Sequence, residues 1–150
     1  MRRTHIAVFQ ILLCSLLSAA CSHIGPKFSY PPPPATSYRV ESVNLKLDDG
    51  IQEIRAAFVL PEFIQAVHVQ PLLGRNFLEE EFLPKPQDVA LLSYRLWRQR
   101  YRSDPQTVGM TVLLNSRPYT VVGIMPDAFR HPEQAEIWLL DPRKYLAEPR

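Results

Sequence analysis

Four histidines, two cysteines and a run of three glutamates are the groups in this 150-residue chain suited to metal binding or nucleophilic chemistry. A metal site would need such side chains to converge at ligand spacing. His23, His68 and His131 have no Cys, Asp or Glu partner at a metal-ligand or triad-like spacing. His68 falls on a short apolar helix and reads as a packed or half-exposed side chain. Glu79, Glu80 and Glu81 lack a nearby His or Cys and read as a solvated loop or first helical turn. Ser93 follows an apolar strand and opens a helix, where a nucleophile elbow would place its serine, but the flanking glycines of that motif are missing. Helix capping accounts for it. The catalytic, cofactor-binding and metal sets are therefore empty, and the expectation is a protein that is not an enzyme. Arg95, Arg98 and Arg102 share one helical stripe, close to Arg100, Trp97 and Tyr101. Such a cluster could meet nucleic acid or acidic lipid; a solvated helix face is the plainer reading, and the stripe is kept as a candidate partner surface. Formal net charge is +2, and the acidic and basic side chains balance once Arg2 and Arg3 are set aside. That balance gives no support for nucleic-acid binding.

The elements that would hold these residues are clearest in residues 88–125. Val89–Leu92 reads as a buried strand, and Ser93 caps a helix that carries Leu96, Trp97 and Tyr101 on one face. Residues 111–114 and 119–124 are β-branched and apolar, and residues 115–118 turn one into the other. Asn115-Ser116 lacks the glycine that suits such a turn best. Trp97, Val121 and Val122 are expected core residues. Upstream, residues 38–47 alternate as a half-buried strand, Asp49-Gly50 signals a turn, and residues 54–60 read as a second strand. Pro61 suits a first helical turn, with Phe63, Ala66 and Val67 as the apolar face. Residues 71–75 form a tight loop, and residues 136–140 a last strand with Trp138 inward. The expected fold is α+β: a small mixed or antiparallel sheet with one or two short helices packed on one face. Residues 141–150 are poor in apolar side chains and read as a C-terminal tail.

The N-terminus has its own organisation. Arg2 and Arg3 precede an apolar stretch over residues 6–17, and Ser18-Ala19-Ala20 are the small residues of a cleavage site. The apolar stretch is shorter than the ~20 residues a membrane-spanning helix needs. Leu17-Ser18-Ala19-Ala20-Cys21 resembles a bacterial lipobox, which implies a signal peptide over residues 1–20 and lipidation of Cys21. Ser22 after the cysteine resembles the pattern of lipoproteins sorted to the outer membrane. The implied location is the cell envelope, lipid-anchored and facing the periplasm, at the outer membrane in preference to the inner. Residues 21–37 then form a tether whose Pro31, Pro32, Pro33 and Pro34 favour an extended polyproline spacer. With Cys14 in the leader and Cys21 at its end, no disulfide framework is expected. The run from Cys21 to Phe28, followed by prolines and Tyr38-Arg39, is similar to the start of outer-membrane efflux lipoproteins of tripartite pumps. The long helices and barrel strands of that family have no counterpart downstream, so its channel function does not follow.

Downstream, a second resemblance covers more of the chain. Ala57-Phe58-Val59-Leu60-Pro61-Glu62-Phe63, Val69-Gln70-Pro71-Leu72-Leu73-Gly74-Arg75-Asn76-Phe77 and the segment from Val89 to Trp97 resemble parts of the MacB-like periplasmic core domain of ABC transporter permeases. So do Asp104-Pro105, Val108-Gly109, and the segment from Asn115 to Phe129 with its Tyr-Thr-Val-Val-Gly-Ile-Met-Pro core. The flavour is that of the large acidobacterial-type permeases. In that family the domain stands between two transmembrane helices, contacts partners and relays movement without catalytic residues. No permease segment, Walker A motif or ATPase domain is found here, so residues 38–140 are expected to form part of such a domain behind a lipoprotein leader. The implied partners are the membrane, through Cys21, and an ABC permease or tripartite efflux components. A permease-gene remnant without independent function, and a periplasmic binder of small molecules or peptides, are the alternatives.

Overall fold

The computed structural model describes residues 32–143; the leader, Cys21, His23, most of the tether and residues 144–150 lie outside them. The chain enters through a 3-10 turn, Ala35–Ser37, whose last residue is buried. The Ser37 hydroxyl donates to the Pro34 carbonyl at 2.6 Å, and the Leu60 N–H donates to the Ser37 carbonyl at 2.9 Å. The end of the segment read as tether is thus packed on the domain. Strands β1 (Tyr38–Leu47) and β2 (Gly50–Val59) follow as an uninterrupted antiparallel hairpin. β2 begins four residues before its expected start, because pairing with β1 holds Gly50, Gln52 and Glu53, which carry no strand signal of their own. Helix α1 (Pro61–Val67) has proline in its first turn and ends at His68, left-handed at φ 44°. A two-residue strand, β3 (Leu73–Gly74), lies within the segment expected to be only a loop. Next come β4 (Val89–Leu92), α2 (Tyr94–Tyr101), β5 (Thr111–Leu114), β6 (Arg117–Ile124) and β7 (Ile137–Leu140). Asn115 and Ser116 both take positive φ, 49° and 66°, so the β5–β6 turn forms without the glycine. Among the described residues no helix is long and apolar enough to cross a membrane.

The expected small sheet is corrected: six strands close in the order β6-β4-β7-β2-β1-β5 and back to β6, with β3 added beside β6. β2–β7 and β4–β6 are parallel pairs, and the others are antiparallel. Closure follows from stagger. The turn end of the β1–β2 hairpin pairs through Leu45 and Lys46 with β5, whereas its open end pairs through residues 56–59 with β7. Pairing at opposite ends of one long hairpin is the register shear that lets a twisted sheet meet itself.

Each strand of the ring sends alternate residues inward. Val43 and Leu45, Ile54 and Ala56, Ala90 and Leu92, Val112 and Leu114, Val121 and Ile124, and Ile137 and Leu139 form one buried cluster. Val121 and Ile124 are three apart yet share it, because a bulge opposite Ala90 and Leu91 resets the alternation of β6. The two helices lie on opposite faces of the sheet, which corrects the expectation of one shared face. Leu96 and Trp97 of α2 join the inner cluster, whereas Phe63 and Val67 of α1 join Ala57, Val59, Leu91, Trp138 and Leu140 outside the ring. β4 and β7 are covered on both sides, so all their residues are buried and neither strand alternates in sequence.

Charged residues pin the rims. Glu81, expected in solvent, is buried: Arg75 donates to both its carboxylate oxygens at 2.6 and 3.0 Å, and the Leu78 N–H adds a third bond at 2.8 Å. Only Glu79 and Glu80 are exposed as expected. Gly74 and Gly123 pair where β3 meets β6, and a Cβ on Gly74, at φ 71°, would stand 2.2 Å from the Val122 carbonyl oxygen. Asp141, read as the start of a loose tail, has no exposed surface; its N–H donates to the Val59 carbonyl, and its carboxylate accepts from Arg39 and Arg143. Burial alone would raise this carboxyl, but the hydrogen bonds from Arg143 and the charges of Arg39 and Arg143 outweigh it and hold it below its ordinary value of 3.8. A depressed folded value contributes stability that is present above about pH 4 and is lost as pH falls through the folded value. Asp141→Asn is expected to destabilise the fold at pH 7 by about 1–3 kcal/mol. The gap from wild type in urea denaturation should narrow as pH falls below that of ordinary carboxylates; a gap constant from neutral pH downward would refute the assignment.

Candidate interaction surface

The N-terminus of α2 is built by Ser93. Its backbone is extended, and its Oγ accepts the Leu96 N–H at 3.1 Å, as capping predicts. The Ser93 N–H donates to the Glu136 carbonyl at 2.9 Å, which ties the helix start to the start of β7. At the other end Arg102 is left-handed at φ 53° and terminates the helix, and the Trp97 indole N–H donates to the Asp104 carbonyl at 2.8 Å. The helix is fixed at both ends by hydrogen bonds and along its inner face by Leu96 and Trp97. Tyr101 is half-buried, and burial followed by the charge of Asp48 pushes its phenol upward.

The candidate arginines are therefore not equivalent. Arg95 reaches Glu136 at 3.2 Å, an ion pair mostly exposed on the arginine side. Arg98 stands over the Tyr94 ring, 5.6 Å from its centroid. Arg102 belongs to the helix cap and is exposed there. Arg95 also borders a cleft of about 300 Å³ between the start of α2 and the β6–β7 connection, lined by Ser93, Tyr94, Phe129, Arg130 and Glu133 among others. The floor of that connection is aromatic: Phe129 packs on Trp138 and Phe63 at 5.4 and 6.4 Å between ring centroids, and the Trp138 indole N–H donates to the His131 carbonyl. This arrangement can present a rigid, mixed-charge surface to another macromolecule.

Other residues with chemical potential are not brought together. His68 caps α1 and is exposed, while His131 packs edge-on against Phe129. Among the described residues no group of three or more His, Cys, Asp or Glu side chains could hold a metal ion. Sequence reasoning missed Glu136, which holds Arg95 in place; it read only as the first residue of a strand, and nothing local marks its partner 41 positions away.

Residues 24–143 match the family model described as the MacB-like periplasmic core domain. The fold recurs in solved structures, two of which illustrate it. The extracellular domain of the noncanonic ABC-type transporter YknZ from Gram-positive bacteria superposes with a TM-score of 0.60 at 14% identity, over 74% of this chain and 56% of that one. The periplasmic region of MacB from Actinobacillus actinomycetemcomitans gives 0.57 at 15% identity, over 69% and 46%. The chain spans about half the length of these solved domains. No curated protein matches its sequence.

Cap and ion pair are separable by substitution. Ser93→Ala is expected to cost about 1 kcal/mol of stability through the orphaned Leu96 N–H. Arg95→Ala should cost less than about 1 kcal/mol, because the arginine side of its pair with Glu136 is mostly exposed. Urea unfolding of the two variants checks the ranking, and an equal or larger loss for Arg95→Ala would contradict it.

Proposed function

The chain belongs to the MacB-like periplasmic core domain family, and on that premise we propose that it is a non-enzymatic envelope lipoprotein acting by protein–protein contact in a transport or efflux system. The match over residues 24–143 carries this reading. The partner is an ABC permease or a component of a tripartite efflux assembly, and the contact runs through the α2 face bearing Arg95, Arg98 and Arg102. The geometry supports such a role: a helix capped by Ser93 and seated by Leu96 and Trp97 keeps its outward face in one orientation. A preorganised face loses little conformational freedom on association. Opposite-sign partner surfaces would use these arginines mainly for encounter rate and register.

Membrane attachment is the second half of the proposal. Cys21, outside the described residues, carries the lipid, and the protein faces the periplasm from the outer membrane. Several acyl chains on one residue would hold it firmly, at about 0.8 kcal/mol per buried CH₂.

Two measurements test these statements. After chemical cross-linking in cells, wild-type protein should co-purify with an envelope transport component. Replacing Arg95, Arg98 and Arg102 together by Glu should lower that capture about tenfold with the far-UV circular dichroism unchanged. A wild-type capture free of transport components would refute the contact role. Cys21→Ser should abolish labelling by a palmitate analogue and shift the protein from the membrane to the soluble fraction; retained labelling would refute the anchor.

A further inference from the structure

Closure of the ring leaves part of β1 uncovered. Asp48-Asp49 is a two-residue turn, so Leu47 and Gly50 form a hydrogen-bonded pair, and the odd-numbered residues of β1 direct their backbone groups to β2. The even-numbered residues direct theirs to the opposite edge. Asn44 shows this: its N–H donates to Asn115 Oδ1 and its carbonyl accepts the Asn115 N–H, both at 2.9 Å. Pairing with β5 begins at Leu45 and extends only toward the β1–β2 turn. The backbone groups of Tyr38, Val40 and Ser42 therefore line an edge with no strand beside it among the described residues.

Soluble proteins usually blunt such an edge with charged side chains, proline, a bulge or a covering element. Among the described residues no proline, bulge or covering strand interrupts residues 38–43. Instead the edge carries Arg39 and Glu41, opposite charges flanking Val40, with Glu41 exposed and Val40 half-buried. Arg39 and Glu41 form an ion pair within the strand, and Arg39 also lies over Phe58, 4.1 Å from the ring centroid. This pattern is its own complement. When two such strands meet antiparallel with Val40 opposite Val40, each Arg39 falls opposite the other copy's Glu41, and each Tyr38 opposite Ser42. Val40 directs both backbone groups outward, so the central pair is hydrogen-bonded. The flanking Arg–Glu pairs are then non-hydrogen-bonded, the class in which side chains approach most closely.

We propose that this open edge is a self-association site, at which β1 pairs antiparallel with β1 of a second copy of the chain about a two-fold axis through Val40. The interface is isologous, as closed dimers require. It joins the two barrels into one continuous sheet across their β1 edges and leaves the α2 face of each copy uncovered by the pairing.

Sedimentation of the full chain purified in detergent over a concentration series tests this. Wild type should show a reversible monomer–dimer equilibrium. Val40→Pro, which removes the central outward N–H and no β1–β2 bond, should abolish the dimer. Glu41→Lys sets like charges opposite each other twice per dimer and should weaken it about tenfold. Arg39→Glu should weaken it likewise, and mixing these two charge variants should restore a mixed dimer, because both cross-strand pairs are then complementary. That rescue also reports that both variants fold. A chain that is monomeric throughout, a dimer indifferent to Val40→Pro and Glu41→Lys, or charge variants that both keep the wild-type far-UV circular dichroism yet fail to rescue each other would overturn the proposal. So would concentration-independent hydrogen-exchange protection of the Val40 and Ser42 amides, which would show the edge covered by the chain's own N-terminal segment.

Discussion

The stagger of the β1–β2 hairpin is the constraint on which the rest of this structure depends. A hairpin of two ten-residue strands offers more edge than either neighbour uses, and each neighbour takes the opposite end. The sheet must then tilt its strands and curl until β5 reaches β6. Closure creates an enclosed face, and six strands give an interior that alternate side chains can fill without a channel. Large apolar residues on that face are removed from water at roughly 1.5–3 kcal/mol each, and the outer cluster, which is as populous and richer in aromatic rings, adds to this. That half of β1 has no second neighbouring strand among the described residues follows from the same stagger, because strands displaced along one another cannot all be paired over their full length.

The outer cluster divides the surface by function. α1, Phe77, Phe82 and Phe129 cover β4, β7 and part of β2, so this side of the ring is buried under connecting segments. α2 instead closes the interior with two residues and keeps the rest of its circumference outside. The helix that seals the core is therefore the one that offers an arginine-bearing face, and its cap residue links both roles: Ser93 holds the helix start through its hydroxyl and the β7 start through its N–H. A local capping interaction thereby fixes the direction in which Arg95 and Arg98 project.

Sequence patterning found the elements and went wrong where partners are distant. The α2 stripe of Leu96 and Trp97 was legible because helical period is a local property, and both residues are buried. Val121 and Val122 were legible as core, but that Val121 shares its cluster with Ile124, three positions on, was not, since the bulge in β6 that resets the alternation is revealed only by pairing with β4. Glu81 looked like part of a solvated acidic run, because Glu79 and Glu80 have the same composition and only Arg75 distinguishes the third. Asp141 looked like tail for a similar reason: its arginine at position 39 lies at the other end of the domain in sequence.

The chain's own residues determine its strands, its two helices, the cap at Ser93 and, through ordered motifs from Ala57 to Phe129, its family. These follow from side-chain period, backbone preference and local hydrogen bonding, which act within a few positions. Tertiary structure alone decided that the sheet closes, that the helices take opposite faces, that Glu81 and Asp141 are buried with arginines, and which part of β1 has no neighbouring strand among the described residues. Those outcomes depend on register between segments far apart in sequence, and register is set by how a twisted sheet meets itself, a property that no single strand carries.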